Sequence, residues 1–298
     1  MKKETGWLLL AVVLGIGLGA QGLQAQLEEN IGTMTKENLE GYLGPLNTGL
    51  SATMNSAIFR TGHVPAQGLT FSIGAAAMAI GYDDEDRLYT PSDPPGFESQ
   101  QEGTEVPTVV GDPEGRTVQG QQGLTWHYPG GFDLEGFEIA VPQVSIGSIV
   151  GTRAVFRYIA LDLGDTELGD FSYIGFGGQH SITQWIPSLP VNVAAGVFVQ
   201  KFEVGDVVTA NAMHWNLTAS REFGILQPYA GLGFDTLELN VDYDDEDDPE
   251  SSFDFDLESE SDPHFTLGLM AKVPGVGVFF EFNAAAATGF ALGVDFGL

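Results

Sequence analysis

The sequence predicts an all-β protein, a transmembrane antiparallel β-barrel of about twelve strands, within a range of about ten to fourteen, preceded by a short N-terminal helical lead-in or plug. The first observation is a strict alternation that runs to the last residue. One face carries Phe290, Leu292, Val294, Phe296 and Leu298, and the other carries small residues and Asp295. A strand has this period when one of its faces meets an apolar medium. The second observation is an export signal at the opposite terminus.

Residues 1–25 have the pattern of a secretory signal peptide. Lys2 and Lys3 precede an apolar stretch over 7–20, and small residues follow it. This stretch is shorter than the roughly 20 residues that a membrane-spanning helix needs. The polar segment 26–46 then predicts a periplasmic lead-in or plug, with a short helix over about 35–43. Residues 47–298 are expected to form the barrel.

The composition agrees with a barrel, because 43 % of the residues are hydrophobic and 40 are glycine. No run after the signal approaches the roughly 18 apolar residues of a spanning helix. The chain has no cysteine, which excludes disulfides, a lipid anchor on cysteine and metal sites built on thiolates.

Alternation predicts eleven strands, each with the usual boundary error of about two to four residues. They are 47–61, 68–82, 137–150, 152–162, 171–184, 190–202, 206–220, 225–241, 263–273, 276–284 and 289–298. If the last strand ends in the periplasm, the short turns near 151, 187, 222 and 274 all fall on the periplasmic side, as is typical of bacterial barrels.

An even strand number requires one of two adjustments. Either 105–110 or 118–128 supplies one more strand, which gives twelve, or 47–61 is not part of the wall, which gives ten. We favour twelve.

The formal net charge is −30, which argues against nucleic acid as a partner. Acidic residues concentrate in two stretches rich in turn-forming residues, which predict extracellular loops near 83–133 and 242–262. The simplest reading is a solvated acidic surface. A divalent-cation site at Asp242, Asp244, Asp245 and Glu246 is the alternative, although the sixth position of a calcium-loop pattern, Asp247, is not the required glycine.

The same alternation predicts which side chains point into the lumen. Arg153 and Arg157 share a face, and arginine facing lipid at the bilayer midplane would cost about 2–4 kcal/mol. We therefore expect them to point inward. The full set of predicted lumen-lining residues is Arg153, Arg157, His214, Asn216, His264, Lys272, Glu281 and Asp295.

Two roles for these charges stay open at this stage. They either form an internal salt-bridge network that fills a narrow barrel, or they line a pore that selects anionic or amphiphilic solutes. The radius, which depends on strand number, decides between them.

We expect no enzymatic activity and no cofactor. Catalytic side chains on one strand need an even spacing to share a face. His180 and Ser181 are adjacent, and His214 and Ser220 lie about 20 Å apart at roughly 3.3 Å per residue. No nucleophile elbow, phosphate loop or metal-binding histidine pair is present in the sequence.

Residues 40–245 resemble a family of uncharacterised outer-membrane proteins of Bacteroidota. The similar elements are Tyr42-Leu43-Gly44-Pro45-Leu46, Gly130-Gly131-Phe132, 141–147, Gly151-Thr152-Arg153 with Arg157-Tyr158, 173–177 and His180-Ser181-Ile182. In outline the chain is also similar to long-chain fatty-acid transporters, which have a plug before the wall. The resemblance implies an outer-membrane barrel and no known activity.

The expected function is therefore an outer-membrane channel or transporter for small or hydrophobic solutes. The alternatives are a closed structural or adhesive barrel with acidic loops, and a secreted soluble β-sandwich. The expected partners are outer-membrane lipids and the barrel-assembly machinery, which would read the C-terminal strand, with divalent cations as a further option at the acidic loops.

Overall fold

The computed structural model describes residues 30–32, 34–162, 170–205, 208–243, 253–258 and 262–297. One long helix and fifteen strands are found in these ranges. The helix is α1 (Lys36–Met54). The strands are β1 (Thr70–Gly81), β2 (Leu88–Tyr89), β3 (Val106–Pro107), β4 (Arg116–Gln119), β5 (Thr125–Tyr128), β6 (Gly136–Ile149), β7 (Thr152–Asp162), β8 (Asp170–Ser181), β9 (Asn192–Val204), β10 (Val208–Ser220), β11 (Leu226–Tyr243), β12 (Phe253–Glu258), β13 (Asp262–Val273), β14 (Val276–Ala284) and β15 (Thr288–Gly297).

Ten of these strands close into an antiparallel barrel. The order around the wall is β10, β9, β8, β7, β6, β1, β15, β14, β13 and β11, and the pairing of β10 with β11 closes the ring. The final strand pairs on both sides, with β1 and with β14. Closure removes the free edges that an open sheet would expose.

The two ends of the barrel differ in the length of their connections. At the turn end, 150–151 and 274–275 join neighbouring strands, and β1 begins beside the end of β15. At the loop end lies the long excursion 82–135, together with β12. The predicted turns near 151, 187, 222 and 274 all lie at the turn end, as the strand directions required.

The outer face of the wall is an apolar belt. Large hydrophobic side chains alternate with buried ones along every second position, as in β13, where Phe265 and Leu267 are exposed on either side of the inward position 266. Members on other strands include Ile73, Phe156, Tyr158, Ile174, Phe176, Trp215, Leu217, Leu232, Phe234, Phe280, Phe290 and Leu292. Such an arrangement is typical of strands whose outer face meets lipid.

The strand expected over 47–61 is wrong, because these residues belong to the end of α1 and to an extended tail. The helix lies inside the barrel and contacts the inner faces of β6, β1 and β11. The even strand number is reached because the segment 47–61 is not part of the wall. The barrel therefore has ten strands. The expected domain boundary between 46 and 47 falls within α1.

The excursion 82–135 forms a cap over the loop end. It contains the short pairs β2 with β3 and β4 with β5, and both sheets stand apart from the wall. The candidate strands 105–110 and 118–128 therefore belong to the cap. A small apolar cluster holds it together, formed by Phe97, Val106, Val118 and Tyr128.

The acidic stretch 242–262 is not a loop throughout. Its residues 253–258 form β12, which pairs with the outer part of β11 and extends the wall beyond β13.

Among the described residues, no helix combines the length and the apolar character needed to cross a membrane.

We predict that Leu267→Arg, at the middle of β13, lowers the free energy of unfolding in a bilayer by about 2–4 kcal/mol, because the charge would face hydrocarbon. The matched change Asn211→Arg, on an outward position near the loop end, is expected to cost at most about 1 kcal/mol. Denaturant titration in vesicles measures both. Equal costs at the two positions would contradict a lipid-facing belt.

Candidate functional site

The candidate site is the lumen, which is filled by residues 36–64, called the plug below. The plug consists of α1 and a tail, residues 55–64. It enters at the loop end beside the cap and reaches the turn end, where the chain turns into β1. The segment 26–46 was predicted to be a periplasmic lead-in or a plug, and its described residues lie within the barrel and under the cap.

At the loop end the plug packs into an apolar core. The inner wall presents small and aliphatic side chains there, and α1 is buried on several sides. The cluster includes Leu39, Leu43, Leu50 and Met54 from α1 and Ala76, Met78, Ile139, Val141, Ala210, Leu237 and Leu239 from the wall. The ring of Phe255 on β12 also belongs to it, with the Lys36 ammonium 5.4 Å from its centroid.

The cap is bonded to this part of the plug. Asn38 donates to the Ser92 carbonyl and accepts from the Ser92 amide. The Tyr42 hydroxyl donates to the Gly130 carbonyl at 2.9 Å, and the Val109 amide donates to the Tyr42 carbonyl. Burial raises the pKa of Tyr89 in the cap, as do the neighbouring phenols of Tyr128 and Tyr42, so Tyr89 stays neutral.

Beyond the last turn of α1, wall side chains bind the plug backbone. Arg157 is 1 % exposed and donates to the carbonyls of Met54 at 3.2 Å and Ser56 at 2.9 Å. Gln200 donates to the same Met54 carbonyl and to the Asn55 side chain. Because a buried carbonyl without a partner is costly, these bonds stabilise the end of the helix.

Glu281 binds the next residue of the tail. Its carboxylate, 1 % exposed, accepts from the Ala57 amide at 2.8 Å, the Tyr229 hydroxyl at 2.8 Å and the Asn283 side chain at 2.9 Å. Three donors compensate the removal of this charge from water.

A salt bridge holds the tail further towards the turn end. One terminal nitrogen of the Arg60 guanidinium donates to both carboxylate oxygens of Asp295 on the last strand, at 2.7 and 2.8 Å. Arg60 also donates to the Ala57 carbonyl and lies 4.3 Å from the centroid of the Phe279 ring. This pair joins positions 235 residues apart in the sequence.

The last contacts of the tail leave no space for a side chain at Gly62. The Thr61 carbonyl accepts from Gln179 and Arg153, and the Gly62 amide donates to the Ser220 hydroxyl. A Cβ at Gly62 would press against the backbone carbonyls of Asn192 and Thr218, closer than atoms can approach.

A histidine cluster lies beside the tail at mid-depth. The Asp235 carboxylate is within 2.6 Å of His214 Nδ1 and 2.5 Å of His264 Nδ1, and His264 Nε2 faces the Asn283 side-chain oxygen at 2.8 Å. All are buried, and the ring of Phe59 stacks on His214. His214, Asp235 and His264 each offer an atom of the kind that binds metal ions, and these atoms lie within 4.8 Å of one another, but here they bond to each other at hydrogen-bond distances.

The remaining predicted residues also have defined places. Asn216 is buried and accepts from the Thr218 hydroxyl, and Lys272 donates to the Gln227 side chain near the turn end. Asp242 is exposed on β11, whereas Asp244, Asp245 and Glu246 lie outside the described residues. Phe290, Leu292 and Phe296 are exposed on the belt, Val294 is half-buried on β15, and Leu298 lies outside the described residues.

Sequence reasoning missed the plug side of this site. Ala57, Arg60 and Gly62 make the contacts. The first two fall within the range 47–61 that was predicted as a wall strand, and Gly62 follows it directly. Arg60 was the available signal that 47–61 is not an ordinary wall strand, because it is the one charged residue in that range.

A family model matches residues 1–298, with the description "Family of unknown function (DUF6588)". No curated protein matches the chain.

Solved structures with a similar outline are membrane barrels. One is a de novo designed transmembrane β-barrel, 14 % identical, covering 50 % of this chain and 96 % of its own, with a TM-score of 0.27. Another is the outer membrane protease OmpT from Escherichia coli, 8 % identical, covering 79 % and 98 %, with a TM-score of 0.36. A third is a Pseudomonas aeruginosa FadL homologue, 9 % identical, covering 84 % and 96 %, with a TM-score of 0.17. At these scores nothing further follows from the likenesses, and the barrel is defined by its own strand pairing.

We predict that Gly62→Ala lowers the free energy of unfolding by about 1–3 kcal/mol, the usual cost of overpacking, because the wall backbone cannot move aside. Gly44→Ala is the matched control on the same plug, since nothing lies within 4 Å of its Cβ position. It is expected to stabilise α1 by up to about 1 kcal/mol. Amide hydrogen exchange over 54–62 should rise in the first variant alone. Unchanged exchange in Gly62→Ala would contradict the close approach.

Proposed function

Since the chain belongs to this family of unknown function, we propose its role from the geometry of its own lumen: it is a closed outer-membrane barrel, sealed by its plug against ion flow, that presents an acidic cap outside the cell. The observation that carries the proposal is the end of α1 and the plug tail, where wall side chains bind the backbone groups of Met54, Ser56, Ala57, Thr61 and Gly62. The resemblance to Bacteroidota proteins stays a prediction.

The apolar belt supports placement in a membrane. A contiguous band of exposed Phe, Leu and Ile would be unusual on a soluble β-sandwich, whose surface exposes few large apolar patches. Bacterial barrels have short periplasmic turns and long extracellular loops. By this rule the turn end faces the periplasm, and the cap and β12 face outward. Outer-membrane lipids and the barrel-assembly machinery are the partners proposed for this placement.

The plug supports a closed state on energetic grounds. Its removal would expose the apolar core around Leu43 and Leu50 and would take the partners away from Arg157 and Glu281. Each buried polar group left without a partner costs about 1–3 kcal/mol, and more if it is charged. The contacts are numerous, so spontaneous loss of the plug would be rare.

A gated passage for solutes is the second candidate. It is favoured by the polar character of the contacts around the tail, which water could replace more readily than it could hydrate the apolar core near the loop end. In this case the tail would move while the helix stayed under the cap. The channel or transporter expected from the sequence corresponds to this candidate.

We also propose that the barrel is not an enzyme. The pair His214 and Asp235 has the contact of a base with its orienting carboxylate, but both side chains are buried and Phe59 covers the imidazole. A substrate would have to displace the plug to reach them.

We predict that the wild-type protein, once inserted into planar bilayers, gives no stable conductance steps. Glu281→Ala removes the acceptor for the Ala57 amide and should produce brief openings. Glu138→Ala, an exposed acid on β6, is the matched control and should stay silent. Insertion is verified by the heat-dependent gel mobility of folded barrels. A steady wild-type conductance of fixed size would overturn the closed-barrel proposal and favour the passage.

A further inference from the structure

A cavity of about 360 Å³ opens at the turn end, between the plug tail and the inner wall. Its lining comes from the tail, from Pro65 directly after it and from β1, β6, β7, β13, β14 and β15. We propose that this cavity is a binding site for an amphiphilic organic anion, with a phosphate or carboxylate head group and a short hydrocarbon chain. The proposal does not depend on whether the barrel conducts.

The charge of the cavity is opposite to that of the chain. Among the described residues that line it, Arg60, Arg153 and Lys272 are cationic and Asp295 is the one carboxylate. The whole chain has eleven Lys and Arg against 41 Asp and Glu. Three of those eleven cations thus meet in one cavity, where they leave a surplus of positive charge in a protein of net charge −30.

The single carboxylate is already engaged. Both oxygens of Asp295 bind Arg60, which also holds the Ala57 carbonyl and the Phe279 ring. Asp295 therefore neutralises Arg60 and leaves the other two cations without a carboxylate of their own inside the cavity.

Arg153 and Lys272 have mainly neutral partners. One terminal nitrogen of Arg153 donates to the Thr61 carbonyl and the Gln179 side chain, while its Nε has no hydrogen-bond partner among the described residues. Lys272 donates to the Gln227 side chain, and its nearest carboxylate is the exposed Glu222 at 3.4 Å, outside the cavity lining. Arg153 is held by neutral oxygens, and the carboxylate that Lys272 contacts is exposed to solvent. Positive charge in a confined site attracts an anion.

Hydroxyl groups supply further donors for a head group. Thr70, Ser72, Ser145 and Ser148 line the same cavity. They bond to each other in pairs, Ser72 with Ser145 at 2.6 Å and Thr70 with Ser148 at 3.4 Å, and a hydroxyl can rotate towards a stronger acceptor such as phosphate.

The rest of the lining is suited to a hydrocarbon chain on the ligand. Ile58, Val64, Val155, Met270 and Val276 contribute apolar surface. The volume lies within the roughly 300–1,000 Å³ of small-molecule sites. An inorganic anion would satisfy the charges and leave this apolar surface in water, so an anion that also carries a short hydrocarbon chain fits better.

The test uses the full barrel in nanodiscs of zwitterionic lipid, titrated calorimetrically with n-octyl phosphate and with octanoate. Heats from empty discs are subtracted. We expect saturable one-to-one binding of both anions, with no saturable binding of octyltrimethylammonium and much weaker binding of inorganic phosphate. Lys272→Gln and Arg153→Gln should each weaken octyl phosphate binding about tenfold, as expected for loss of one charge-assisted contact.

Arg221→Gln is the matched control. Arg221 is an exposed cation at the same end of the barrel but outside the cavity lining, so its variant should bind within about twofold of the wild type, well below one tenfold step. Gel mobility and the unfolding midpoint verify that each variant is folded.

Several results would overturn the proposal: no saturable binding beyond that of empty discs, equal binding of the octyl cation, or unchanged affinity in both cavity variants. If inorganic phosphate bound as tightly as octyl phosphate, the proposal that the ligand is amphiphilic would be wrong. Repeating the octyl phosphate titration with anionic phospholipid in the disc distinguishes a membrane lipid from a soluble anion as the ligand. Competition supports a membrane lipid, and retained octyl phosphate binding supports a soluble anion.

Discussion

The constraint on which this structure depends is that the ten-strand wall needs a filled interior. Towards the loop end its inner face is apolar, with Val141, Leu237 and Leu239 among the buried residues. Further in, the inner face carries Arg157, Glu281 and Asp295, which cannot be left unpaired in a confined space. The plug satisfies both demands, with a helix for the apolar half and an extended tail for the polar half.

The division of the plug into helix and tail follows from hydrogen bonding. A helix satisfies its own backbone groups and can sit in an apolar environment, as α1 does. The tail lacks regular structure, so its carbonyl and amide groups need partners from the wall. Those partners are long side chains that reach across the gap, namely Arg157, Gln179 and Glu281, while Gln200 binds the carbonyl of the last helical residue. Buried charges are thus used to bind backbone, and one pair, Arg60 with Asp295, is a conventional salt bridge.

The sequence predicts the wall well because each strand alternates between residues suited to the apolar outer face and residues suited to the filled interior. The ranges expected for β7 and β14, 152–162 and 276–284, agree with the observed strands at both ends. The preference for twelve strands was wrong because of 47–61. In α1, Gly44, Pro45 and Gly49 weaken the helical pattern. A helix enclosed by a barrel is also buried on several sides and shows no single apolar face.

The sequence pattern reaches the wall side of the site but not its plug side. Alternation assigns the inward positions of Arg157, His264 and Glu281 strand by strand. It gives no information on their partners, because Ala57 and Arg60 are more than 200 residues from Glu281 and Asp295 in the sequence. The expected choice between an internal salt-bridge network and a pore lining did not include a third arrangement, in which wall charges bind the backbone of the chain's own N-terminal segment.

One measurement tests the central claim that the N-terminal segment lies in the lumen. The hydroxyl oxygens of Thr61 and Ser220 are 3.2 Å apart, and the chain has no native cysteine. In the double variant Thr61→Cys, Ser220→Cys, a disulfide should form on mild oxidation of the folded, membrane-inserted barrel, as read by mass spectrometry of the proteolytic fragments. A folded barrel in which both thiols stay free and react with a water-soluble maleimide would contradict the plug.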